Sequence, residues 1–231
     1  MIWLVAAAAV FLFIHLVIAG TPVRDAITGR IGEGPYMGLF SLASLAGLVW
    51  LGFAYVAAQR GPDPVWWSAT PLTKWLQLVV TFVAFMLIVP GLLTPNPTSV
   101  RQEGQLKRPD AVRGVLRVTR HPFLWGVAIW AAGHLMVRGD LASLILFGTL
   151  LVLAIFGTAS IDGKRRRGLG EAWNAFAAQT SAVPFGAILA GRQSLKIGEI
   201  GWWRLGVAVI VWGALVFAHP LLFGVSPLPN A

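Results

Sequence analysis

The stretch "TRHPFLWGVAIWAAGHLMVRGD", residues 119–140, decides how the chain is read. Between Arg120 and Arg138 the only ionisable groups are His121 and His134, and the rest is apolar enough to lie in hydrocarbon. An ionisable ring inside a membrane helix is a functional hypothesis by default, because burying it without a partner costs free energy. The chain as a whole agrees with this reading. It is 57% hydrophobic and 12% charged, with eleven Trp, a balance that no ordinary soluble domain of 231 residues shows.

A membrane span needs roughly 20 predominantly apolar residues. Working outward from 122–137, apolar runs of that kind fall at 2–19, 39–58, 75–93, 141–160 and 205–224. The expectation is therefore an all-α polytopic membrane bundle of about six transmembrane helices, built as a single domain over residues 1–231. The first run has no Lys or Arg ahead of Arg24. A secretory signal peptide carries a basic leader, so this run is expected to be a retained helix that keeps His15.

The 18 Lys and Arg divide unevenly among the connections. Loops one, three and five carry 15 of them and the alternate loops carry 3, so the positive-inside bias puts the first set in the cytoplasm and both termini outside. In a bacterial inner membrane that outside is the periplasm. The same asymmetry accounts for most of the net charge of +9 and removes any need for nucleic-acid binding. The expected partners are the lipid bilayer and a lipophilic small molecule.

There is no Cys, hence no disulfide, no thiolate metal site and no covalent Cys-x-x-Cys-His haem attachment. Loop three contains "DAVRGVLRVTRHP" (110–122), in which Arg113, Arg117 and Arg120 recur at helical spacing among Val112, Val115, Leu116 and Val118. It reads as an amphipathic helix on the membrane surface, either an interfacial anchor or a grip for a carboxylate or phosphate. In loop five, "KRRR" (164–167) reads as a stop-transfer charge cluster. The following "GEAWNAFAAQTSAVPFGAILAG" (170–191) is interrupted by Gln179, Thr180, Ser181 and Pro184, and reads as an interfacial or re-entrant cap.

Four histidines remain to be placed. His15 lies inward of the centre of its run, His121 at the inner mouth of the fourth, and His134 and His219 towards the outer ends of the fourth and sixth. His121 and His134 are 13 residues apart, about 20 Å of helical rise, so one compact site cannot hold both. Gly126, Ala131, Ala132 and Gly133 make the helix slim near His134, which permits either close helix packing or a flat cofactor. A neutral imidazole is a common haem ligand, and two from different helices hold a b-type haem without cysteine.

These residues resemble the NnrU-type membrane proteins, a group associated with nitrite and nitric oxide reduction whose plant relative is the plastid zeta-carotene isomerase. The resemblance rests on "HLVIAGTPVRDAITGRIGEGPYMGLFSLASLAGLVW" (15–50), on "TRHPFLWG" with "GHLMVRGD", and on Asp162, Arg165, Arg166, Gly170, Glu171, Phe176, Thr180, Ser181, Pro184, Phe185, Gly191 and Arg192. It implies a haem b ligated by His15 and His134. Arg120 and His121, by their own position at the inner mouth beside Arg113 and Arg117, are expected to meet an anionic group of cofactor or substrate. The isomerase carries a cysteine three residues before the second ligand. This chain has Ala131 there, so ligand switching of that kind is not expected. Depth along the spans points instead to His134 with His219, and both pairings stay open. The haem propionates would reach an arginine at a membrane surface, with Arg138 nearest His134 in sequence.

The implied activities are a role in nitrogen-oxide metabolism with isomerase-like redox chemistry, or a non-enzymatic redox sensor or accessory protein. Arg-His-Pro followed by an aromatic and Gly also resembles the isoprenylcysteine-type membrane methyltransferases, which use S-adenosylmethionine. Those hold their cofactor with an acidic pair where this chain reads "IDGKRRR" (161–167), one Asp before a basic run.

Overall fold

The computed structural model describes residues 1–229. Helix α1 (Ile2–Leu12) runs directly into a six-residue π-helical stretch, Phe13–Ile18, and breaks at Thr21 into α2 (Pro22–Ile31), bent by 77° from it. Then come α3 (Glu33–Gln59), the short strand β1 (Val65–Ser68), α4 (Pro71–Leu93), α5 (Val115–Val118) and α6 (Pro122–Val137). Strand β2 (Arg138–Asp140), α7 (Leu141–Gln179), α8 (Gly186–Leu189), α9 (Ile197–Ile200) and α10 (Trp202–Phe223) complete the order.

Helices α3, α4, α7 and α10 are each long and apolar enough to cross a membrane, and the broken α1–α2 pair makes a fifth candidate. The remaining expected span, α6, is apolar but has only 16 residues, about 24 Å. The protein is thus a helical membrane bundle in which two of the apolar segments are irregular, one broken and one short.

Local chemistry fixes the helix starts. Thr70 and Thr73 form a reciprocal capping box ahead of α4, with Pro71 at its first position. Pro122 plays that part in α6, and the Asp140 carboxylate caps α7 by accepting the Ser143 N–H at 2.9 Å. The 39-residue α7 outlasts its apolar run and is kinked at Gly170, where φ is +53°.

Neighbouring helices follow the order α10, α4, α6, α7, with α1 and α3 packed on the far side of α7. Leu4, Ala7, Ala8 and Phe11 of α1 form a buried cluster with Leu51, Ala54, Ala58 and Ala142. The slim face of α6 is filled by α4: a Cβ on Gly126 would stand 2.8 Å from the Ala84 carbonyl, and one on Gly133 3.0 Å from Val80. The small residues therefore serve close helix packing, and that face leaves no room for a flat cofactor.

The connections sort by side. Strands β1 and β2 pair antiparallel, Trp67 donates its indole N–H to Leu135 O at 3.0 Å, and Lys74 donates to the carbonyls of Ser226 and Leu228. These groups hold together the face with few basic residues. On the opposite, basic face, Arg165 pairs with Glu103, Arg117 with Glu199 and Arg167 with Asp25. Loops that the charge count groups together are thus bonded together. The exposed indoles of Trp66, Trp67 and Trp75 on one face and of Trp202 and Trp203 near the other fit aromatic belts at two interfaces.

Two expectations are revised. The segment 110–122 is not an amphipathic surface helix: α5 has four residues, and Val115, Leu116 and Val118 are buried. The cause is Gly114, at φ +56°, whose N–H donates to Glu199 at 3.1 Å and whose Cβ position is closed off by the Glu199 carbonyl oxygen at 2.8 Å. A turn that only glycine tolerates interrupts the pattern, and the three arginines face different partners. The re-entrant cap expected in loop five takes the form of the kinked end of α7 plus a turn. Backbone hydrogen bonds from Arg120 N–H to Ser181 O (2.9 Å) and from Phe185 N–H to Val118 O (2.8 Å) clamp that turn over the start of α6.

Candidate functional site

His15 lies in the π-helical stretch of the first span. A π segment widens the helix by one residue per turn and is found disproportionately at functional sites. The ring packs against Phe11 at 4.4 Å and edge-on to Phe40 of α3 at 5.3 Å, and its Nδ1 lies 2.8 Å from the Phe11 carbonyl. A carbonyl only accepts, so Nδ1 carries the proton and Nε2 presents a lone pair.

His134, on the last turn of α6, repeats this arrangement. Its Nδ1 donates to the Trp130 carbonyl at 2.8 Å, while the ring stacks on Phe147 of α7 at 4.6 Å and touches Trp130 at 4.3 Å. Phe147 in turn meets Tyr55 of α3 edge-on, and the Tyr55 hydroxyl lies 3.0 Å from Ser143 Oγ. A histidine whose Nδ1–H is fixed by a backbone carbonyl is oriented, in the correct tautomer, to bind iron through Nε2. The donor chemistry of both rings fits a haem.

His219 also donates Nδ1–H to a carbonyl, that of Val225 at 2.8 Å, in the last turns of α10, where its ring packs against Phe223. The tautomer by itself does not choose between the pairings. Helix α7 packs between α6 and α1, and α4 between α6 and α10, so in this arrangement neither pair of rings faces the other across a common gap. The levels of His15 and His134 differ. Gly20 abuts Ser160 on α7 while His134 stacks on Phe147, and allowing for the five residues from His15 to Gly20, the two rings lie about 12 Å apart in depth. Among the described residues, no group of three or more His, Asp or Glu side chains gathers as a metal-ion site.

Arg120 and His121 have a different environment. Arg120 forms a bidentate ion pair with Asp162 of α7, its Nε 3.0 and 3.1 Å from the two oxygens, and its guanidinium lies over the Trp173 ring. His121 Nε2 lies 2.7 Å from the same carboxylate in a ring only 1% exposed. Two groups expected to meet a ligand's anion meet the chain's own. Two polar atoms beside this cluster, His121 Nδ1 and Trp173 Nε1, are buried with no partner among the described residues. The single Asp of "IDGKRRR" is thereby used internally, and Arg138 is likewise paired, with Asp140 at 2.8 Å.

Arg113 pairs with Asp110 at 2.7 Å, and Arg117 forms a bidentate pair with Glu199 while also donating to Gln193. The Arg117 guanidinium, helped by the Gly114 N–H and Lys196, holds the Glu199 carboxyl down at about 2. The basic partners of these pairs are legible in the sequence and the acidic ones are not. One signal was present for Asp162: a lone acid between an apolar run and four cations needs a specific partner. Glu199 offered none, since its partner lies 82 residues away.

A family model described as "NnrU protein" matches residues 3–227. The chloroplastic 15-cis-zeta-carotene isomerase of Zea mays is 28% identical over 219 residues, covering 92% of this chain and 58% of the relative. Its counterpart in Arabidopsis thaliana is 28% identical over 223 residues, covering 94% and 59%. The chain thus spans about three-fifths of the length of the curated relatives it matches. No solved structure matches it.

Proposed function

Because the chain belongs to the NnrU family, matched over residues 3–227, we propose that it is a haem b-binding membrane protein with redox-dependent, isomerase-like activity on a lipophilic substrate. His15 and His134 are the residues that would hold the haem, which requires their helices to bring rings now about 12 Å apart in depth to a common level. The observation that carries the reading is the family match over residues 3–227, and the tautomer of both rings is compatible with it: each Nδ1–H is tied to a carbonyl of its own helix and each Nε2 is left as a lone pair. The relatives' printed names, 15-cis-zeta-carotene isomerase, suggest a conjugated polyene or similar lipid as the substrate class. Bound haem b supplies a one-electron iron centre able to polarise or reduce such a substrate.

The chain's own residues do the rest. The stacked Phe147 and Trp130 hold the His134 ring in place and keep water from it, and the Asp162 cluster anchors the other end of α6. The family's association with nitrogen-oxide metabolism supplies the setting in which we place the protein. We place the basic face in the cytoplasm and both termini in the periplasm of a bacterial inner membrane, on the charge asymmetry.

The test is an isomerisation assay. Purified protein incubated with a 15-cis polyene should convert it to the trans form when reduced with dithionite, and not when oxidised. Conversion that proceeds equally in haem-free preparations would remove the redox reading.

A further inference from the structure

The basic face holds a cavity of about 320 Å³ lined by Arg24 and Asp25 of α2, Glu103, and Lys164, Arg165 and Arg167 of α7. It lies where the first span breaks by 77° into α2, beside the point at which α7 leaves its apolar run. Lys164 is four residues past the end of that run and Arg24 five past the end of the first, the level at which lipid phosphates lie.

Its charges do not balance. Asp25 is shared between Arg24 and Arg167 at 3.4 Å each, Glu33 pairs with Arg24, and Glu103 with Arg165. Four cations thus meet three acids. Lys164 has neither an ion pair nor a hydrogen bond among the described residues, although it is partly buried. Arg165 has a side chain only 7% exposed and donates Nη2–H to Ser99 O at 2.6 Å, yet its Nε–H is buried without a partner. Buried N–H groups are almost always satisfied, and those that are not mark a missing water, ion or ligand. The cavity far exceeds the roughly 30 Å³ of one water, so it has room for a phosphate together with a substituent.

We propose that this cavity is a binding site for a phosphate group, with Lys164 as its free cation and Arg24 and Arg165 as supporting donors. A point-charge ammonium beside forked guanidiniums is a donor set that suits tetrahedral oxyanions. Two sources share this chemistry, the headgroup of an anionic phospholipid and free phosphate. The site is independent of the haem reading and involves neither His15 nor His134.

Lys164 itself reports occupancy. Full-length protein, delipidated in an uncharged detergent, is treated with acetic anhydride, and acetylation of Lys164 is followed by peptide mass spectrometry with Lys196 as internal reference. Dioleoylphosphatidylglycerol should slow acetylation of Lys164 at least fivefold without protecting Lys196. Equal protection by millimolar inorganic phosphate assigns the site to free phosphate, and protection by the lipid alone assigns it to the headgroup. In lipid titrations by native mass spectrometry, Lys164→Met should weaken phosphatidylglycerol binding at least fivefold, while Lys164→Arg and the exposed control Arg166→Gln should not. Unchanged Lys164 labelling with both probes overturns the proposal, as does a loss in Arg166→Gln equal to that in Lys164→Met. Should Lys164→Met fail to fold, the labelling of unmodified protein decides.

Discussion

His121 and His134 stand at the two ends of one 16-residue helix and differ in which ring nitrogen the protein engages. At the basic end, Nε2 of His121 is held by the Asp162 carboxylate, and Nδ1 is buried without a partner. At the other end, Nδ1 of His134 is tied to the helix's own Trp130 carbonyl, with the ring packed against Trp130 and Phe147 and Nε2 presenting its lone pair. The first arrangement spends the histidine on structure, because an acid from another helix needs it. The second orients a ligand nitrogen and leaves it free. His15 follows the second pattern on a different helix.

The largest effect that separates the two ends is expected at Asp162. Asp162→Asn leaves the Arg120 guanidinium, 11% exposed, without its anion, and breaking a buried pair in this way typically costs about 3–5 kcal/mol. Thermal unfolding in detergent should show a loss of that size, with little change in haem content per folded molecule. A loss of haem as large as the loss of fold would mean that the two ends are not independent.

Gly126 sharpens the comparison from the middle of the helix. Alanine there would press on the Ala84 carbonyl and on Ile88, so Gly126→Ala should destabilise by about 1–3 kcal/mol despite the better helix propensity of alanine. The measurement is the unfolding midpoint, with Gly148→Ala as control, because a Cβ at Gly148 meets nothing within 4 Å. Equal effects at the two glycines would contradict the tight α4–α6 contact.

The smallest effect belongs to Glu199, which holds down the turn before α6. Its carboxyl is at about 2 in the folded protein against 4.5 for an unperturbed glutamate, so its contribution is complete above pH 4.5 and disappears as the pH falls through 2. As a partly exposed pair it is worth about 1 kcal/mol or less. The unfolding midpoint of the wild type should therefore fall more between pH 6 and pH 3 than that of Glu199→Gln, and parallel curves would refute the assignment.

What the sequence made legible follows the range of the interactions. The apolar runs, the slim face of α6 and the uneven loop charges are local in the chain, and each reappears in the bundle. The turn at Gly114 was not legible, because the reason for it is Glu199, 85 residues away. The β1–β2 pair was hidden for the same reason: Val65–Ser68 finds its partner at Arg138–Asp140. In the candidate site, the basic residues could be named but not their partners. Arg120 and His121 looked ready for an external anion until Asp162, 42 and 41 residues on, took both. The π-helical stretch around His15 gave no warning in "FIHLVI", which reads as ordinary apolar helix.

The most direct test of the histidine comparison is an absorption spectrum of the protein purified under mild conditions from haem-replete cells, taken for the wild type and for four single substitutions. A b-type Soret band is expected in the wild type, in His121→Ala and in His219→Ala. It should be largely lost in His134→Ala, and in His15→Ala either lost or converted to a five-coordinate spectrum. A well-folded wild type with no Soret absorbance would contradict the account, and loss of the band in His219→Ala but not in His15→Ala would assign the second ligand to α10.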